Sequence, residues 1–278
     1  MRYIIGCGRF AAVGILILII LAAIFLCFPF MSKEHRGRWI RRIAGWIPAA
    51  LGMKLTVKGR VPDEPAFTSG VTPDGCGYMV CSNHISFVDI FVLDAVLPCR
   101  FVAKKEIASW PVFGAIAKGV DTLFIDRSRK RAVLEIAELM AESIEQGRNV
   151  LFFPEGTTGQ GEKLLPFYAN LFQAAAQSQA LILPVTIRYT CRGAVSTIPS
   201  YAGKISLFTV LKRIVFTPDL GVEVTVLDPV DSKGKDRQQL CRELSALMSA
   251  SLGVPDATAE KEAARQQRLQ AASQSSRS

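Results

Sequence analysis

The sequence predicts an α/β fold, a single domain with a largely parallel central sheet flanked by helices, preceded by an N-terminal membrane helix. Three observations predict it. An uncharged run of 22 residues, Phe10 to Met31, stands near the start. From about Lys54, short apolar runs alternate with amphipathic stretches, the pattern of βα units feeding a parallel sheet. The length, 278 residues, suffices to bury a core without disulfide or metal staples.

The first run is long enough to cross roughly 30 Å of hydrocarbon at about 1.5 Å per residue. A signal peptide would have a shorter apolar region and a small-residue cleavage site. This run ends instead in Cys27-Phe-Pro-Phe-Met-Ser32. A lasting anchor is the better reading. Arg2 and Arg9 precede it, while Lys33, Arg36, Arg38, Arg41 and Arg42 follow. The positive-inside rule therefore puts the bulk of the chain on the cytoplasmic face. Between residues 37 and 47, Trp39, Ile40, Ile43, Trp46 and Ile47 recur at helical spacing, opposite Arg38, Arg41 and Arg42. Such a helix fits two placements, in the headgroup region or packed on the domain. Pro48 should end or kink it.

The domain is expected over residues 54–252. Its strands are predicted at Lys54–Lys58, Tyr78–Ser82, Arg100–Ala103, Thr122–Ile125, Asn149–Phe153, Leu181–Arg188 and Val222–Leu227. Helices are predicted at Phe87–Val96, Trp110–Ala117, Lys130–Gln146, Ala169–Ser178, Leu207–Arg213 and Arg237–Ser251. The helix over 130–146 is the clearest, with Val133, Ile136, Leu139, Met140 and Ile144 on one side. Pro184 suggests that its strand is an edge, or begins there. Pro62–Gly77 reads as a Pro/Gly-rich connection, and the polar composition of 253–278 as a disordered tail.

Composition removes several chemistries. Cys7, Cys27, Cys76, Cys81, Cys99, Cys191 and Cys241 form no C-x-x-C pair, so zinc knuckles and thioredoxin chemistry have no support. Scattered thiols suit a reducing compartment. His35 and His84 are the only histidines, which excludes a His-rich metal site. The net charge of +9 lies largely beside the apolar run, where it suits anionic headgroups better than nucleic acid. Gly156 and Gly161 have P-loop separation, but Glu162 and Lys163 stand where Lys and a hydroxyl residue are required.

The strand at 78–82 ends in the polar turn Ser82-Asn-His-Ile-Ser-Phe-Val-Asp89. In open α/β sheets, sites form beyond the carboxyl ends of strands. His84 and Asp89 would stand about 140° apart on one continuous helix, so they meet only if a turn falls between them. Ser86 supplies such a turn, since Ser-x-x-Asp is a capping-box pattern. Two readings stay open: Asp89 caps a helix beside a turn histidine, or it partners a general base. No G-x-S-x-G elbow is present, and Cys81 projects from a strand, so covalent catalysis is unsupported. What remains is direct attack by a substrate hydroxyl deprotonated by His84.

Asn83-His84-x-x-x-x-Asp89, Phe124-Ile-Asp-Arg127, Phe153-Pro-Glu-Gly-Thr157 and Leu183-Pro-Val185 follow one another in that order. Together they resemble the four blocks of the glycerolipid acyltransferases, bacterial 1-acylglycerol-3-phosphate O-acyltransferases being nearest in size. The resemblance covers about residues 54 to 230. It implies transfer of a fatty acyl group from acyl-CoA or acyl carrier protein to the hydroxyl of a lysophospholipid, most often lysophosphatidic acid, at a bacterial inner membrane. It implies no cofactor, no metal and no nucleic-acid partner. By the same resemblance His84 is the base and Asp89 its partner. Arg127 holds the acceptor's phosphate, and Glu155, Gly156 and Thr157 shape the acceptor site. Lys104 and Lys105 are positive groups near the same end of the sheet, which fit either the donor's phosphates or the membrane surface. One residue departs from the pattern. The third block usually continues Glu-Gly-Thr-Arg, and Thr158 occupies the Arg position. Similar enzymes that accept lyso-ornithine lipid, which has no phosphate, can lack that Arg.

Overall fold

The computed structural model describes residues 2–62, 75–126 and 131–275. The described residues form a mixed α/β domain built on a nine-stranded sheet, with an apolar helix at the N-terminus. The strands are β1 (Met53–Gly59), β2 (Met79–Ser82), β3 (Arg100–Lys104), β4 (Leu123–Ile125), β5 (Val150–Phe152), β6 (Leu181–Cys191), β7 (Ala194–Val195), β8 (Leu220–Val226) and β9 (Val230–Asp231). The α-helices are α1 (Arg2–Ala22), α2 (Lys33–Ala50), α3 (Asp89–Val96), α4 (Phe113–Gly119), α5 (Ala132–Glu145), α6 (Gln173–Ser178), α7 (Leu207–Phe216), α8 (Arg237–Leu252) and α9 (Ala257–Ser275).

Sheet order is β1-β8-β6-β2-β5-β3-β4, with β7 and β9 also paired to β6. From β6 through β2, β5 and β3 to β4 every pairing is parallel. The carboxyl ends of these five strands therefore share one edge. β8 reverses against β6, and β1 runs parallel to β8. The seven predicted strands are all present within a few residues of their expected ends. The two-residue strands β7 and β9 carry too few residues to show a pattern.

Side-chain alternation splits the core between the two sheet faces. Val80, Leu151, Leu183 and Val185 face one side, against Ile43 and Ile47 of α2, Val92 of α3 and Ile214 of α7. Met79, Cys81, Phe152 and Ile182 face the other, against Ile136 and Met140 of α5 and Leu240 and Leu244 of α8. Among the described residues this is a helix–sheet–helix sandwich.

Pro184 corrects one expectation. β6 is not an edge strand but lies between β8 and β2. On one side β6 pairs with β9 at Leu181–Ile182 and with β8 from Val185 onward. The Pro184 carbonyl accepts from Leu227 N–H at 3.0 Å on that same side. The missing proline N–H thus falls at the gap between two partners, where no ladder bond is lost. Pro48 also acts less strongly than expected, since α2 continues through it to Ala50 before Gly52 turns at φ +75°. Residues 169–172 form a 3₁₀ turn leading into α6 rather than one long helix. After Gly253, residues 257–275 form α9 where composition suggested an irregular tail. Its start is held because Asp256 accepts from Thr258 N–H, and Ser245 of α8 hydrogen-bonds both residues.

An apolar helical stretch over Tyr3–Phe30 has the length and composition to enter a membrane. One flank of it is seated on the domain. Arg9 reaches past Gly52 and donates to the carbonyls of Val215 and Thr217, both at 3.1 Å, at the end of α7. Those carbonyls have no partner further along the helix, and a cation at a helix C-terminus also meets the negative end of its dipole. Near its other end, Ile24 lies against Gly119. The opposite flank leaves Ile4, Ile15, Leu18, Phe25 and Phe30 exposed. Helix α2 combines the two expected placements: Ile43 and Ile47 are buried on the domain while Trp39 and Trp46 face outward.

Gly77 leads into β2 with the Arg148 carbonyl oxygen 2.1 Å from where a Cβ would stand. Gly77→Ala must push β2 away from the β5 lead-in. It is expected to destabilise the protein by about 1–3 kcal/mol, measured as a lowered thermal midpoint in detergent.

Candidate active site

Four strand ends meet at the shared carboxyl edge. β2 delivers residues 83–88, β5 delivers Phe153 to Thr158, β3 delivers Lys104, and β6 brings Tyr189 behind them. Asn83 is buried and fixes the turn to β6: its amide donates to the Ile187 carbonyl at 2.9 Å and its oxygen accepts from Ile187 N–H at 2.7 Å. The next residue, His84, is thereby carried over the end of the sheet.

His84 and Asp89 meet as the turn allows. Nδ1 of His84 lies 2.8 Å from Oδ2 of Asp89. The same oxygen accepts from Ile85 N–H at 2.6 Å and Ser86 N–H at 2.9 Å, and Ser86 Oγ accepts from Val88 N–H at 3.3 Å. Asp89 thus serves both readings left open by the sequence, closing the Ser-x-x-Asp turn and partnering the histidine. It is fully buried, whereas the His84 side chain keeps 19% of its surface. With Nδ1–H directed to the carboxylate, the imidazole's Nε2 retains the lone pair. The ring stacks on Phe153, centroids 3.9 Å apart and planes 11° from parallel, which fixes its tilt.

Glu155 is nearly as buried as Asp89, at 3% exposure. Oε2 accepts from His84 N–H and Oε1 from Leu165 N–H, each at 2.7 Å. Both carboxylate oxygens are therefore occupied by backbone. Glu155 stands as a strut under His84. Burial pushes its carboxyl up from 4.5 to about 7, against the lowering effect of the two N–H donors. Gly156 follows at φ +68°, a left-handed conformation that turns the chain sharply after Glu155.

Thr158 also turns inward. Its hydroxyl donates to the Tyr201 carbonyl at 2.8 Å. Gly159 N–H donates to the His84 carbonyl at 2.7 Å, and Tyr201 N–H to the Ile85 carbonyl at 2.8 Å. Three loops are knitted together around the histidine. Where the sequence pattern expects an arginine, the hydroxyl of Thr158 is used to hold the Tyr201 loop.

A cleft of about 670 Å³ opens over the ring, lined by His84, Phe101, Lys104, Phe153, Gly156 and Thr157 among others. Thr158, Tyr201, Glu106 and Trp110 complete much of its wall. Of the site residues expected from sequence, His84, Lys104, Gly156 and Thr157 reach this cleft. Asp89 and Glu155 stand beneath it, and Arg127 lies outside the described residues. Lys105 pairs with Asp126 at 3.6 Å. Cys81 is fully buried in β2, and burial pushes its thiol well up, with Cys241 adding to the effect, so it is no nucleophile. Sequence reasoning missed Tyr189, whose hydroxyl donates to Asp89 Oδ1 at 2.6 Å. Nothing in a run of apolar strand residues marks it.

The arrangement places an imidazole, hydrogen-bonded to a buried carboxylate, in the wall of an open, partly apolar cleft. Residues 67–188 match the family model described as Acyltransferase. Over 209 residues the chain is 37% identical to the 1-acyl-sn-glycerol-3-phosphate acyltransferase of Neisseria meningitidis serogroup B, covering 74% of this chain and 78% of the relative. It is 32% identical to the lyso-ornithine lipid O-acyltransferase of Pseudomonas aeruginosa, covering 81% of each. The crystal structure of the 1-acyl-sn-glycerophosphate (LPA) acyltransferase of Thermotoga maritima shares the fold, with TM-score 0.67, 20% identity, and coverage of 91% of this chain and 97% of that one.

The Glu155 strut has a sign that can be measured. Its native carboxyl binds a proton more tightly than the unfolded chain does, so between pH 4.5 and about 7 this group makes stability fall as pH rises. Glu155→Gln removes that contribution. The wild-type melting temperature is expected to decline relative to the variant's across that window, and parallel curves would show that the strut does not titrate there.

Proposed function

The chain belongs to the acyltransferase family that includes the 1-acyl-sn-glycerol-3-phosphate and lyso-ornithine lipid acyltransferases, and from that membership we propose that it converts lysophosphatidic acid to phosphatidic acid with an acyl thioester donor. The observation that carries the mechanism is the His84–Asp89 pair, 2.8 Å apart beneath an open cleft. His84 Nε2 takes the proton from the acceptor hydroxyl as its oxygen attacks the thioester carbonyl carbon. The tetrahedral oxyanion collapses with loss of the C–S bond, and the imidazolium returns the proton to the departing thiolate. Asp89 stabilises the imidazolium in between. The atoms balance without a covalent enzyme intermediate.

The donor is acyl-CoA or acyl carrier protein, and Lys104 is the cation on the described cleft wall that suits its phosphates. Arg127 takes the acceptor phosphate in this reading. The apolar helix over Tyr3–Phe30 holds the protein at the membrane, with the domain on the cytoplasmic side.

A second acceptor is favoured by one specific observation. Thr158 contributes no cation and spends its hydroxyl on the Tyr201 carbonyl, and relatives named lyso-ornithine lipid O-acyltransferases are among the similar proteins. The same base would acylate that lipid's hydroxyl by the same steps.

One assay separates the two. Detergent-solubilised protein receives labelled acyl-CoA or acyl carrier protein, with lysophosphatidic acid or lyso-ornithine lipid as acceptor. Labelled phosphatidic acid is expected, and its rate should fall by about 10²–10⁴-fold in His84→Ala. Product from lyso-ornithine lipid alone would move the acceptor and keep the base. Near-normal turnover by a folded His84→Ala protein would sink the mechanism.

A further inference from the structure

The mechanism above gives Asp89 one partner to serve, His84, yet the carboxylate has a second face that the reaction does not touch. Tyr189 lies on β6, 100 residues away in sequence, and is 1% exposed. Its register places it beside Val222 of β8, behind the catalytic turn carried by β2. Its hydroxyl donates to Oδ1 of Asp89 at 2.6 Å, the short distance of an O–H bond to an ionised carboxylate. Oδ2 is left to His84 Nδ1 and the backbone N–H groups of Ile85 and Ser86.

We propose that Tyr189 is a positioning residue for acyl transfer, which holds the Asp89 carboxylate in the plane that His84 needs and withdraws part of its charge through Oδ1. The inference rests on the reading of His84 as the base. Without the phenol, Oδ1 would be buried with no donor among the described residues, and the carboxylate would concentrate its charge on the imidazole. The titratable groups around this pair are few. Glu155 is the carboxyl whose field reaches Asp89. Burial and the neighbouring Asp89 both push the phenol up, so it remains a donor throughout the working range.

A phenol that merely fills space would be replaced by Phe without consequence for protonation. A phenol that shares the Asp89 charge would not. In Tyr189→Phe the unshared carboxylate holds the imidazolium more tightly, so the acid limb of the kcat/KM profile should move to higher pH. The value of kcat should fall roughly tenfold, as for loss of one charge-assisted hydrogen bond, with KM for donor and acceptor within about twofold. Replacing Tyr189 by 3-fluorotyrosine keeps the shape and strengthens the donor, so it should fold even if Phe does not, and its acid limb should move to lower pH. Shifts in opposite directions support the proposal. Acid limbs that stay at the wild-type pH, whatever happens to kcat or the melting temperature, overturn it. His84→Ala is measured alongside: an active His84→Ala protein would overturn the reading beneath, whereas an inactive one with unmoved limbs in the Tyr189 variants defeats this proposal alone.

Discussion

The structure turns on one carboxylate. Asp89 has no exposed surface and accepts from four donors: the backbone of Ile85 and Ser86, the imidazole of His84 and the phenol of Tyr189. A buried carboxylate with fewer partners would take up a proton or destabilise the fold. Four donors offset the cost of burying it within a sandwich of apolar helices. The two backbone donors force the chain to turn between residues 84 and 89, and that turn is what brings two residues on opposite sides of a helical path together. Packing, local conformation and chemistry therefore share a single group.

Around this group the family's blocks behave as a mutual brace more than as a row of substrate contacts. Glu155 grips the backbone of His84 and Leu165. Gly159 and Tyr201 hold the carbonyls of His84 and Ile85. Asn83 ties the same turn to β6. Each bond is worth only about 1 kcal/mol net, but every one of them is made to backbone, so displacing the backbone that carries the histidine requires several to break together. Precise placement of a base is obtained from ordinary hydrogen bonds by number and burial.

Much of this was legible in the sequence, and the reasons differ by feature. The parallel strands read clearly because apolar runs such as Val150–Phe152 are buried on both faces and end in polar turns. His84 and Asp89 read clearly because a polar turn after a strand is conspicuous, and the ordered blocks then resembled a known family. Tyr189 could not be read, since a β-strand full of large buried residues makes an aromatic unremarkable until its partner is known. Pro184 misled for a related reason: a proline says that an N–H is missing, but whether a bond is lost depends on the neighbouring strand, which here changes at that residue. The backbone partners of Glu155 could not be read either, because a motif names a residue without saying which way it faces.

The clamp of Arg9 on the end of α7 has a further consequence. A catalytic domain on a flexible tether samples a range of heights above its membrane, and its encounter rate averages over that range. Here the apolar helix is bolted to the domain near both ends, by Arg9 at α7 and by Ile24 at Gly119. The mouth of the cleft then has one fixed position relative to the apolar helix. On the reading that this helix lies in a bilayer and the acceptor is a lipid, the relevant abundance is a mole fraction in a two-dimensional fluid, and dilution of the bulk aqueous phase leaves the frequency of encounters unchanged.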